Sequence, residues 1–537
     1  MGEVYFWIFL AFFVAVATLV SRKIKDHLDF YVMGERAPWY MITGTLAATY
    51  LSAVTLLGIA GTHYNIGPLT ISTFGSFGAW LGTMIACFYI GREFKALKCR
   101  TMPDFFQRRF KNPYVTAIAT LVMVVGLIGY GVIQLIGAGY ILHQVTGLEY
   151  STVIIGFGIA LMLFMALSGM WGVVVTDTLM LIFMLVVGFV LSPWLASIAG
   201  GPAHIVADTT QRLGAEYWTL GGTAGFGIGW HLAQFLVWVL FFACTPALVM
   251  RVFPAKNDFA LMKGALIGIL LAPLLQLFPY FVGSSAMQVL QPGIEPADRV
   301  LVVGFFEYIP AGLGAFGLVA IMAAIMSTAS SLFIAAGFGL SRDLYENLFN
   351  PELTEKKRLM VARICQVFIA IVVLVVSLME LDAIYWISIW AGAIFAVGWL
   401  PTVVGGLEWR NMTNAAALAS MICGTASFII IKDFVDRGLM TLPPEIDPLF
   451  IGLFISIAAL IIAAKLSKPT QANLDYFEEI KRTRLSDQVL ADAKGNPEKF
   501  AELKKDYQQT KVLAIALLVV AIVVFGTMGF LYARPLM

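Results

Sequence analysis

Ser327, Thr328, Ser330 and Ser331 close the run Ala323-Ala-Ile-Met-Ser-Thr-Ala-Ser-Ser331, inside an otherwise apolar stretch. On a helix, Ala324, Ser327 and Thr328 share a face at i, i+3 and i+4; Ser327, Ser330 and Ser331 make an adjoining cluster. Hydroxyl oxygens beside an accessible carbonyl suit a hard monovalent cation such as Na+, whereas softer metals want imidazole or thiolate. The same hydroxyls could instead bond back to carbonyls of their own helix. A second polar group, Thr49, Ser52, Thr55, Gly58 and Gly61, crowds the middle of the stretch from Ala47 to Gly67. Small and hydroxyl residues weaken a helix and free carbonyls for a cation; they also allow close helix packing. The third feature is Asp177, a carboxylate about 8 Å inside an apolar stretch at 1.5 Å per residue. A charge there needs a partner, a cation or water, unless it simply starts a helix near an interface. The five His and five Cys are dispersed, with no HExxH or CxxC. No nucleophile–base set appears either, so no catalytic residues, no transition-metal site and no enzyme are expected.

These groups need elements that hold them in hydrocarbon. The chain is 60% hydrophobic and 13% charged, against about 25% charged in soluble domains. Fourteen stretches reach span length, near 4–21, 39–64, 68–90, 113–142, 150–169, 172–195, 227–250, 262–289, 306–340, 360–379, 384–407, 412–431, 446–464 and 512–532. Of 35 Lys and Arg, 30 fall in the loops of one face, hereafter the basic face. The positive-inside rule then puts that face in the cytoplasm and both termini outside. The first stretch is followed rather than preceded by basic residues, so it reads as a retained helix, not a signal peptide. The expectation is an all-α polytopic protein of the inner or plasma membrane. Its parts are a first helix and loop (1–38), spans over 39–195 and 227–407 on either side of an outer loop (196–226), two peripheral helices (408–464), a solvated cytoplasmic connector with some helix (465–511) and a last helix (512–537).

Four stretches, in order, resemble the sodium:solute symporter family. They are Ala48-Thr-Tyr-Leu-Ser-Ala with the Gly58-to-Gly67 run; Thr176-Asp177; Ala323-Ala-Ile-Met-Ser-Thr328; and Gly392-Ala-Ile-Phe-Ala-Val-Gly with Gly405-Gly-Leu-Glu-Trp-Arg-Asn-Met-Thr-Asn414. The resemblance covers roughly residues 1–465. It implies a LeuT-type core of two inverted five-helix repeats, with broken helices at 39–64 and 227–250; Pro246 fits the second break. It implies a main sodium site on the carbonyls of Ala48, Leu51 and Ala324 and the hydroxyls of Ser327 and Thr328. A second sodium site, present in some members, maps to Asp177, Ser327, Ser330 and Ser331. Proline carriers of the family have Asp where this chain has Tyr50. Sugar carriers have Gln at Thr55 and Glu near Phe74. Both departures argue against those substrates, and the wording around 46–67 and 322–328 is nearest to pantothenate and monocarboxylate carriers.

The resemblance therefore implies a symporter that imports a small organic solute with Na+ by alternating access. A proton-coupled carrier using Asp177, and a membrane sensor or channel, stay open beside it. The solute pocket is expected between the broken helices, with Ser52, Thr55 and Gln134 as polar contacts and Trp238, Phe241, Phe242 and Trp390 lining or gating it. No Arg or Lys is expected at mid-membrane depth. Partners are the solute, sodium ions and lipid; nucleic acid is not expected and no oligomer is required.

Overall fold

The computed structural model describes residues 2–22, 27–70, 74–277, 282–349, 352–379 and 384–483, with scattered positions from 496 to 523. Among the described residues the regular structure is helical, with one isolated bridge between Ala37 and Ala255. After α1 (Gly2–Ser21) comes a broken pair, α2 (Trp39–Tyr50) and α3 (Val54–Ile66), bent by 53°. Then follow α4 (Phe74–Ala96), the short α5 (Met102–Phe110), α6 (Pro113–Thr146) and α7 (Tyr150–Val186). A second broken pair, α8 (Ile228–Ala243) and α9 (Pro246–Val252), is bent by 51°. The series continues with α10 (Asp258–Leu277), α11 (Ala311–Glu346), α12 (Lys356–Ser377), α13 (Ile384–Glu408), α14 (Asn414–Asp436) and α15 (Pro448–Leu466). It ends in α16 (Gln471–Thr483).

Among the described residues, eight helices are long and apolar enough to cross a membrane, or up to ten if each bent pair is one span. That is fewer than fourteen. Within the 150–169 stretch Tyr150–Met162 is an apolar helix, and the side chains of 163–169 lie outside the described residues. The stretch 512–532 lies largely outside the described residues. At 170–171, where the sequence predicts a turn, the backbone is helical. Straight, residues 150–198 would extend about 73 Å. Yet Tyr150 packs on Tyr140, Gln144 bonds Arg299, and Leu195 lies against Gly304 in the same region. Residues 150–198 are therefore bent rather than straight.

Both breaks follow from local sequence. In the first, Leu51 adopts extended φ/ψ (−76°, 118°) after Tyr50. In the second, Thr245 is extended and Pro246 has no N–H to continue a helix. α11 sits at the centre, its apolar window wholly buried, while α12, α14 and α15 leave most of theirs uncovered. A wholly apolar helix that is uncovered on its outer side suits lipid. Small residues let backbones meet: a Cβ on Gly78 or Gly82 of α4 would stand 2.2 and 2.5 Å from the carbonyls of Phe235 and Val239 on α8. Gly44 brings α2 equally close to Thr178 beside Asp177.

The described part of the connector is helical and packed. α16 docks on the basic face through buried Tyr476, Phe477 and Ile480. Beneath it Arg109 is 0% exposed. Its guanidinium donates to the carbonyls of Gly406 (2.8 Å), Asn473 (2.6 Å) and Trp409 (3.2 Å). Asn473 donates in return to the carbonyls of Arg109 (3.2 Å) and Phe110 (3.4 Å). Reciprocal satisfaction of buried polar groups fixes the docking, since any one left unmade would cost about 1–3 kcal/mol.

Candidate cation and solute site

The break between α2 and α3 faces α11. The Thr328 hydroxyl reaches across to the carbonyls of Thr49 and Leu51, 3.3 Å from each. Ala48, Ala324 and Ser327 are buried around this contact. The unwound residues supply the carbonyls and the hydroxyl face of α11 supplies side-chain oxygens. Ser330 and Ser331 point elsewhere: both donate to the carbonyl of Ser327, at 3.0 and 2.6 Å. This is the back-bonding use of such hydroxyls.

Asp177 is 0% exposed and its surroundings differ from the expectation. Its Oδ2 accepts from the Thr45 hydroxyl at 2.6 Å and lies 3.6 Å from Nη2 of Arg251. Arg251 Nε donates to the Thr49 hydroxyl at 3.0 Å. Asp177 Oδ1 and the Ser327 hydroxyl have no hydrogen-bond partner, although the two side chains face one another. Arg251, assigned from sequence to a loop, is instead 1% exposed inside the bundle. A signal was available. Arg251 is only five residues beyond the break at Pro246, about 8 Å along a helix, too short a reach from the broken region to the surface.

On the other side of the break lies a cluster of polar and aromatic side chains. The Ser52 hydroxyl is 3.2 Å from the Tyr130 hydroxyl. Thr55 caps the break: its hydroxyl donates to the carbonyl of Ser52 at 2.9 Å and accepts from the Ser52 amide. The amide of Ala53 donates to Gln134 Oε1 at 3.1 Å. Phe241 and Phe242 of α8 pack on Tyr130 and Tyr50. Trp238 Nε1 donates to the Tyr385 hydroxyl at 3.4 Å, which donates to Gln234 Oε1 at 3.0 Å. Ser52, Thr55, Gln134, Trp238, Phe241 and Phe242 are therefore brought together.

Trp390 is not part of this cluster. It lines a separate groove of about 440 Å³ with Val125, Ile128, Trp386 and Lys432. From Tyr385, five residues turn a helix by about 500°, which leaves Trp390 about 140° from the inward face; Gly392, on that face, meets Phe241. Sequence reasoning missed Tyr130, Gln234 and Tyr385. Tyr130 stands four residues before Gln134, the spacing of one helix face, and could have been found from it.

A protein whose two bent helices meet around buried oxygens, in an apolar bundle, has the architecture of a solute carrier. The model of the sodium:solute symporter family matches residues 30–424, and the chain belongs to that family, a family of multi-pass membrane transporters. Among curated relatives, the sodium/pantothenate symporter of Escherichia coli strain K12 is 25% identical over 466 residues, covering 85% of this chain and 94% of that one. The corresponding protein of Haemophilus influenzae is 26% identical over 430 residues, 78% and 87% of the two chains. The high-affinity proline transporter PutP of Bacillus subtilis is 25% identical, covering 86% and 98%. A Na+-coupled sialic acid symporter solved in an outward-open, substrate-bound state superposes with a TM-score of 0.74 at 18% identity, covering 87% of this chain and 98% of that one. That likeness, and a weaker one to the nucleobase-cation symporter Mhp1 (TM-score 0.54, 14% identity, 83% and 98%), are likenesses of fold, here the LeuT fold.

Proposed function

We propose that the chain is a sodium-coupled symporter that imports a small carboxylate-bearing solute, with its basic face in the cytoplasm. The observation that carries this is the contact of Thr328 on α11 with the carbonyls at the break of α2 and α3. Here the carbonyls of Ala48, Leu51 and Ala324 and the hydroxyls of Ser327 and Thr328 bind one Na+. Bridging two helices, the ion favours the arrangement that also completes the solute pocket, so ion and solute raise each other's affinity reciprocally. An inside-negative potential of 100 mV adds about 2.3 kcal/mol for each net charge carried inward. The relatives named for pantothenate and for proline transport carboxylates. Tyr50, where proline carriers have Asp, favours the pantothenate-like class.

Asp177, with Ser327, Ser330 and Ser331, is the place for a second Na+. Binding there requires Arg251 to share or leave the carboxylate and Ser330 and Ser331 to turn from the Ser327 carbonyl.

Purified protein in proteoliposomes should accumulate pantothenate, or a smaller monocarboxylate, when an inward Na+ gradient is imposed. Uptake that follows a proton gradient equally well without Na+ would favour the proton-coupled reading. Within the pocket, Tyr130→Phe is expected to raise the solute KM by about fivefold, the loss of one buried hydrogen bond. Trp390→Ala should leave KM within about twofold. Concentration-dependent uptake separates them, and the reverse pattern would move the pocket to the outer groove.

A further inference from the structure

The segment 91–112, between α4 and α6, carries seven basic residues. The structure uses some of them in fixed pairs. Arg92 holds Asp258 at 2.8 Å, Lys95 and Lys98 share Glu35, and Arg109 lies buried beneath α16. Arg108 and Arg342 converge on one carboxylate, Asp104, at 3.1 and 3.2 Å. Burial alone would raise the pKa of Asp104, but Arg342 and Arg108 hold it below the usual carboxylate range. Beside them opens a cleft of about 600 Å³ whose charged lining is Arg108, Lys111, Arg342 and Asp104. The lining thus carries three cations and one carboxylate, with the buried Asp343 also close to Arg342.

The depth of this cleft is set by α6, which starts at Pro113 on its rim and runs 34 residues. That is about 51 Å, against a hydrocarbon layer of about 30 Å, so its first turns extend into the headgroup region. Tyr114, in the first of them, is 70% exposed. On the opposite wall, beyond Arg342 and Asn347, Phe349 is 72% exposed and packs on the exposed Tyr345. Uncovered aromatic side chains beside a basic cleft belong to a bilayer interface. A free anion in water would gain nothing from them, whereas an acyl chain would cover them.

We propose that this cleft binds the phosphate headgroup of an anionic phospholipid, with its chains lying over Tyr114 and the Tyr345–Phe349 surface. Basic pockets at the cytoplasmic ends of spans are suited to such headgroups. The walls come from different halves of the protein: α5 and the start of α6 on one side, the end of α11 on the other. The lipid adds a second tie to the hydrogen bond from Gln107 to Asn347 (2.8 Å).

The test uses the purified full-length chain in neutral detergent micelles, titrated with phosphatidylglycerol or phosphatidylcholine and read by native mass spectrometry and thermal shift. Phosphatidylglycerol is expected to bind more tightly and to raise Tm more. Lys111→Gln and Arg342→Gln should each weaken its binding about fivefold, while Lys432→Gln on the opposite face should not. Arg342→Gln also takes a partner from Asp104 and could fail to fold; exposed Lys111 then carries the test alone. An unchanged preference for phosphatidylglycerol in Lys111→Gln would overturn the proposal. So would inorganic phosphate alone reproducing the full shift, which would make the cleft a soluble-anion site.

Discussion

Arg251→Met is expected to lower stability by about 3–5 kcal/mol and to reduce uptake by more than tenfold. The Asp177 and Arg251 side chains are 0% and 2% exposed and 3.6 Å apart. Removing one partner of a buried pair leaves the other charge desolvated and uncompensated, which costs about that much. Arg251 also holds the Thr49 hydroxyl, one residue from the Ala48 carbonyl of the proposed sodium site, so the break of α2 should loosen with it. The double variant Asp177→Asn with Arg251→Met removes both charges, and stability should return to within about 1–2 kcal/mol of wild type. The double variant also separates structure from transport. If Asp177 ligates a second Na+, charge moved per solute falls; if Asp177 is a proton site, the ratio holds and the pH dependence of uptake is lost. A thermal midpoint and uptake rate for Arg251→Met equal to wild type would mean that the pair has no such role.

The second large effect is expected on sodium dependence. Ser327→Ala and Thr328→Ala should each raise the Na+ concentration for half-maximal uptake about tenfold, equivalent to about 1.4 kcal/mol of lost ligation. The pair is informative because the two hydroxyls differ in the absence of ions. Ser327 only faces Asp177 without a well-formed hydrogen bond, so its removal should leave Tm close to wild type. Thr328 bonds the carbonyls of Thr49 and Leu51, so its loss should lower stability as well, by about 1 kcal/mol. Sodium titrations of uptake alongside melting curves in zero sodium distinguish ligation from packing. Wild-type sodium dependence in both variants, at normal expression, would place the site elsewhere.

The sequence by itself determined the two places where helices break. Hydroxyl and glycine residues between Thr49 and Gly61, and Pro246 after Thr245, act within a turn or two of their own position. The hydroxyl face of Ala324, Ser327 and Thr328 is likewise fixed by helical period. The motif order carried the family, and apolar length with basic asymmetry carried the membrane class. Only the tertiary structure decided what those faces meet. Arg251 looks like a loop residue because it follows the last apolar residues of its stretch; its partner, Asp177, lies 74 residues earlier. Trp390 is apolar and aromatic like Trp238, and composition does not tell which side of α13 turns inward; packing of Gly392 on Phe241 does. The 465–511 segment reads as solvated from its charges, yet Asn473 and Arg109 exchange buried hydrogen bonds across 364 residues. Periodicity and breaking residues are local properties of a chain. Pairing of buried charges, choice of face and docking of a polar helix depend on what desolvates them, and that is supplied by distant segments.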